Sequence, residues 1–129
     1  QGAEDRGYFE RARLPQRVSA VTAACLVVAK EKFQSVGGFD EESFAVAFND
    51  VDLCLKLNEA GWQSFYEPRA TLIHHESRSR GSDREKANRA RFASELIALK
   101  RKWGTDVNRD PFHHPHLSRF CEEFLVAVE

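Results

Sequence analysis

Apolar and polar positions along the chain alternate in period from segment to segment. Residues 18–29, "VSAVTAACLVVA", are apolar or small on both alternating faces and rich in valine, the pattern of a strand covered on both sides. The segment "KEKFQSVGGFDEE" then predicts a short helix closed by Gly37 and Gly38, because glycine accepts the left-handed conformation that ends helices. From Val51, the residues Val51, Leu53, Cys54, Leu55 and Leu57 fill one broad helical face that stops at Gly61. "QSFYE" and "ATLIHHE" read as two short strands separated by Pro68 and Arg69. Phe92, Leu96, Leu99 and Trp103 recur at intervals of four, three and four and predict an amphipathic helix ended by Gly104. Three parts are expected from this: a charged arm at 1–17, a body at 18–104, and an extended tail at 105–129 packed on the body.

Composition narrows the class. The chain has 129 residues, 42% apolar and 30% charged, with a formal net charge of -1, which describes one ordinary globular unit and argues against a dedicated nucleic-acid binder. Cys25, Cys54 and Cys121 are odd in number and lack metal-ligand spacing, so they read as thiols and not as a disulfide frame or zinc site. No apolar run is long enough to span a bilayer and the first residues lack the apolar core of a signal peptide, which together suggest a cytoplasmic location. His113, His114 and His116 lie in "HHPH", which has neither the helical nor the zinc-finger spacing that preorganises metal ligands.

The candidate chemistry centres on "FNDVDLCLKLNEAGW". If Asn49 is the N-cap, Asp52 falls three residues into the helix and supports the cap. Asp50 and Asp52 cannot easily share one ion, since positions two apart point about 200° away from each other around a helix. Asp50 is then left in the first turn, not needed for capping, where the positive helix end favours a charged carboxylate. Such a carboxylate serves as a general base when the proton moves late, as an attacking hydroxyl becomes acidic.

Taken together, "VTAACLVVAKEKFQSVGGFDEESFAVAFNDVDLCLKLNEAGW", "YEPRATLIHHESRSRG", "RKWG" and "DPFHHPHLS" resemble the C-terminal half of bacterial family 2 glycosyltransferases of the cell-surface polysaccharide and rhamnosyltransferase type. The resemblance implies an α/β chain forming part of a GT-A fold: a small mixed sheet with flanking helices and an extended C-terminal tail. It implies a fragment of an inverting transferase whose nucleotide-binding half precedes the arm, with this chain alone inactive and, in the full-length enzyme, a place at the inner face of the membrane. Asp50 falls where the family has its catalytic base, with Asn49 replacing a supporting glutamate.

The resemblance also implies that His74 reaches the metal and diphosphate, while alternation turns His75 to the opposite face of its strand. Arg78, Ser79 and Arg80 would contact the diphosphate, guanidinium groups being suited to fork onto phosphate oxygens. Trp103 resembles the tryptophan of the Gln-x-x-Arg-Trp motif of processive synthases, with Leu99 and Lys102 in place of its glutamine and arginine; its spacing equally fits a packing residue. The implied partners are a nucleotide-sugar donor and a saccharide or lipid-linked saccharide acceptor, and the implied cofactor is a divalent cation, Mn2+ or Mg2+, held mostly by the preceding half. Two other classes fit parts of the sequence: a non-catalytic interaction module, and a polyanion binder using the basic segment 78–91, whose binding would weaken with salt. An uncovered apolar face would also favour self-association.

Overall fold

The computed structural model describes residues 6–73, 86–119 and 124–127, with only the backbone of Lys86 and Ala87. Its regular elements are strand β1 (Gln16–Val18), helix α1 (Lys30–Ser35), helix α2 (Asn49–Glu59), strand β2 (Ser64–Tyr66) and helix α3 (Lys86–Trp103). Short 3-10 turns at Tyr8–Arg13 and Ala23–Cys25 complete them. β1 and β2 pair antiparallel, with Gln16 opposite Tyr66 and Val18 opposite Ser64.

The α/β character is as expected, but the sheet is not mixed: among the described residues it is two-stranded and antiparallel. The long strand expected at 18–29 is reduced to its first residue, and β1 begins at Gln16, inside the segment expected to be an arm. The physical reason lies in how the backbone beyond Val18 is satisfied. Asn58 Nδ2 donates to the Ser19 carbonyl at 2.8 Å, the Cys54 thiol faces the Val21 carbonyl at 3.9 Å, and the Ala23 N–H donates to Asp50 Oδ2 at 2.9 Å. Asp50, Cys54 and Asn58 are four apart and form one stripe of α2, so residues 19–23 run along the helix as they would along a neighbouring strand. Thr22 then caps the 3-10 turn by accepting from the Ala24 N–H, and beyond it Val27 is 98% exposed while Leu26 and Val28 are half-buried. Residues 71–73 likewise form no strand, and the rest of that expected element lies outside the described residues.

The helix ends fall where glycine put them. Gly37 and Gly38 have positive φ, and the bonds Gly38 N–H to Phe33 O (2.9 Å) and Gly37 N–H to Gln34 O (3.1 Å) are the paired closure that uses up the last carbonyls of α1. α2 closes in the same way at Gly61, through Trp62 N–H to Leu57 O and Gly61 N–H to Asn58 O. The start of α2 differs from expectation: the cap is Phe48 in the left-handed region, at φ 62 and ψ 5, with no side-chain capping bond, and Asn49 is the first helical residue.

The apolar core is small and centred on α2: Phe44, Leu53, Cys54, Leu57 and, from α3, Leu99 are buried. The tail turns back on the body: Ser19 Oγ donates to Asp110 Oδ1 at 2.7 Å, and the Tyr8 ring stacks on Phe124 at 4.9 Å. Leu117 and Val126 form an antiparallel bridge. No helix among the described residues is long and apolar enough to cross a membrane.

Candidate active site

Asp50 is the second residue of α2 and half-buried. Its Oδ2 accepts from the Ala23 N–H at 2.9 Å and its Oδ1 from the Val51 N–H at 2.8 Å. A carboxylate offers about four lone-pair sites. Each oxygen of Asp50 therefore retains acceptor capacity while its orientation is fixed by two backbone donors.

Asp52 plays a different part from the cap support expected of it. With Phe48 as the cap, Asp52 falls one residue past the position from which it could assist capping, and its side chain is fully buried. Oδ1 accepts from Trp103 Nε1 at 2.8 Å and pairs with Lys102 Nζ at 2.8 Å, and Oδ2 lies 3.3 Å from Lys56 Nζ. Lys56 also donates to the Gly38 carbonyl, and Lys102 reaches Asp40 at 3.1 Å. Burial opposes the charge of Lys102, but the bonds to Asp52 and Asp40 outweigh it and hold the ammonium above the ordinary lysine range. Asp40 is held below the ordinary carboxylate range, first by the Ser43 N–H and then by Lys102. Asp50 and Asp52 thus face different elements: Asp50 the 19–23 segment, Asp52 the end of α3.

Trp103 belongs to this network and also borders an open cavity of about 1130 Å³. Val51 and Leu55 of α2 line it together with Arg109, Phe112, Leu117 and Arg119 of the tail. Asp50 is not among the residues lining the cavity: one position before Val51 on the helix, it points about 100° away, towards the 19–23 segment. Asn49 is the first residue of the same turn. His74, His75, Arg78, Ser79 and Arg80 lie outside the described residues, so the implied diphosphate and metal contacts are not part of this geometry. Among the described residues no group of three or more His, Cys, Asp or Glu side chains is placed to hold a metal ion. His114 and His116 do approach each other, at 5.3 Å between ring centroids, and His114 Nδ1 accepts from the His116 N–H.

Sequence reasoning missed Glu95, Lys56 and Asp40, and it placed Lys102 only as the stand-in for a motif arginine, not as the partner of Asp52. Glu95 is 4% exposed and accepts from the Ala47 N–H at 2.6 Å. A signal was available: Glu95 stands between Phe92 and Leu96, on the apolar stripe of α3, where an acid needs a specific partner.

The chain is similar in sequence to several bacterial proteins, one of them named as a rhamnosyltransferase. It is 46% identical over 124 residues to the uncharacterized protein y4gI of Sinorhizobium fredii, covering 96% of this chain and 14% of the relative. It is 39% identical over 99 residues to the O-antigen biosynthesis protein RfbC of Myxococcus xanthus, covering 77% of this chain and 7% of the relative. It is 44% identical over 66 residues to the N-acetylglucosaminyl-diphospho-decaprenol L-rhamnosyltransferase of Mycobacterium tuberculosis, covering 51% of this chain and 21% of the relative. The chain therefore spans between 7% and 21% of the length of these relatives. No protein-family model matches the chain, and no solved structure matches it significantly. The likeness to glycosyltransferases of the polysaccharide and rhamnosyltransferase type is thus shown over part of each chain.

Proposed function

We propose that the protein carrying this chain is an inverting, family 2 glycosyltransferase with a GT-A fold, moving a sugar from a nucleotide-diphosphate donor to a hydroxyl of a saccharide or lipid-linked saccharide. The observation that supports this reading best is the setting of Asp50. It is a half-buried carboxylate in the first turn of a helix, oriented by two backbone N–H groups, and the next residue, Val51, lines an open cavity of about 1130 Å³. The names of the relatives supply the reaction class.

In this reading the acceptor approaches the first turn of α2 from the side of the cavity, and its hydroxyl reaches a remaining lone pair of Asp50. The carboxylate takes the proton as the oxygen attacks the anomeric carbon from the face opposite the leaving diphosphate. Trp103 borders the acceptor space, and Asp52 holds Trp103 and the helix in place. The described residues do not themselves make a metal site. We propose that the divalent cation, Mn2+ or Mg2+, is held by residues beyond those described, with His74 one ligand and Arg78, Ser79 and Arg80 at the diphosphate.

The test is Asp50→Asn in the full-length protein, following nucleoside diphosphate release from a panel of UDP-, dTDP- and GDP-sugars. Loss of a general base lowers turnover by about 10²–10⁴-fold, and donor binding should be retained. Unchanged turnover would remove Asp50 from the role.

A further inference from the structure

We propose that Glu95 is a positioning residue for the Asp50 carboxylate, acting through the left-handed backbone of Phe48; the proposal rests on the reading of Asp50 as the base. Phe48 has φ 62 and ψ 5 and starts α2 without any side-chain cap. For a non-glycine residue that conformation costs about 1–2 kcal/mol, and it persists only where the surroundings determine it. Asp50 lies two residues further on, so the dihedrals of Phe48 set the direction in which the first turn presents its carboxylate.

Helix α3 supplies what determines them. The Ala47 N–H, immediately before Phe48, donates to Glu95 Oε2 at 2.6 Å. The Phe48 ring packs on Phe92 with centroids 5.0 Å apart. Phe92 and Glu95 are three apart on α3 and so share a face. Glu95 is almost wholly buried, and its other oxygen is 3.8 Å from Arg91 Nε. A buried carboxylate is a costly way to pack a helix face, since an apolar residue there would carry no desolvation penalty. What the carboxylate adds is a directed acceptor for one backbone N–H at the entrance to the strained turn.

The same helix grips the other side of Asp50, where Trp103 and Lys102 meet Asp52. Glu95 and Asp52 are the buried charged side chains of the described core, and they bracket the candidate base at Ala47 and at Asp52. A role in packing alone gives no reason for both acids to fall on the flanks of this one residue.

The experiment compares Glu95→Ala, Glu95→Gln and the double variant Phe48→Gly with Glu95→Ala in the full-length protein. It uses the same nucleotide-sugar panel and measures kcat, donor KM and the thermal midpoint. Glu95→Ala should lower kcat by about 10-fold to 100-fold with donor KM unchanged, the scale expected when a catalytic group is displaced by about an ångström. Glu95→Gln retains an oxygen for the Ala47 N–H and should keep most of kcat. Phe48→Gly holds a positive φ without strain, so adding it to Glu95→Ala should recover part of the lost kcat while the thermal midpoint stays low. Wild-type kcat per folded molecule in Glu95→Ala, or no recovery in the double variant, overturns the proposal. Should Glu95→Ala fail to fold, Phe92→Leu takes its place: a smaller fall in kcat at constant KM supports the proposal, and an unchanged kcat overturns it. Asp50→Asn run alongside separates the two readings. If it is inactive while Glu95→Ala is fully active, only the positioning role fails; if it turns over normally, the base assignment fails and the positioning role with it.

Discussion

Helix α2 and the segment of residues 18–29 are both rich in apolar side chains, yet their fates differ. In α2, Leu53 and Cys54 are buried, whereas Val27 is 98% exposed. A helix satisfies its own backbone, so its side chains are free to settle into whatever core is available. An extended segment must find acceptors and donors elsewhere, and here it finds them on one stripe of α2, at Asp50, Cys54 and Asn58. Beyond that stripe Leu26 and Val28 stay half-buried while Val27 between them points to solvent. Apolar composition therefore records how much burial a segment can use, but not which layer provides it.

The largest expected effect tests that contrast directly. Leu53→Ala removes a fully buried side chain and should cost about 2–5 kcal/mol, whereas Val27→Ser should stay within about 0.5 kcal/mol, both read from urea denaturation. If Val27→Ser proves as damaging as Leu53→Ala, the segment is covered in solution. A dependence of stability on protein concentration would then identify a second copy as the cover, as self-association through an apolar face requires.

Next in size is the link from α2 to α3. Asp52→Ala takes the shared acceptor from Trp103, Lys102 and Lys56, and the two lysines retain some access to water to relieve them. The cost should be about 1–3 kcal/mol, and Trp103→Phe, which keeps a ring but loses the N–H donor, should cost about 1 kcal/mol. A stability loss in Trp103→Phe equal to that in Asp52→Ala would place the whole network on the indole bond. No loss in either would confine what holds α2 to its 19–23 face.

These two faces also show what was legible in the sequence. The glycines at 37, 38, 61 and 104 fixed the helix ends correctly because positive φ is a local demand that a single residue meets. The split between Asp50 and Asp52 followed from helical geometry and stands, since the two carboxylates face different elements. The start of α2 was misplaced because Asn49 is a good cap, whereas the actual cap at Phe48 is held by Glu95 and Phe92 from a helix more than forty residues away. The strand at 18–29 failed for the same kind of reason: its partner is a helix stripe, a tertiary relation that no local pattern encodes. Glu95 went unnoticed and the pairing of Lys102 was not foreseen, because a charged residue on a helix is usually solvated, and only their distances to Ala47 and Asp52 reveal otherwise.

The smallest effect concerns Asp40, the outermost member of the α2–α3 network. Its carboxyl is held below its ordinary value of 3.8 by the Ser43 N–H and then by Lys102. A depressed carboxylate pKa stabilises the fold above the unfolded value, and that contribution is lost as pH falls through the folded value. Asp40→Asn should therefore be slightly less stable than the parent at neutral pH, by about 0.5 kcal/mol or less for so exposed a pair. The two proteins should converge as pH drops below 3.8. The pair with Lys102 is also open to salt, so part of the difference should fade at about 1 M salt, where the screening length is about 3 Å. The Leu53→Ala deficit has no charge in it and should persist unchanged. A salt-insensitive Asp40 would mean that the Ser43 turn, and not the reach of Lys102 across from α3, is what the residue contributes.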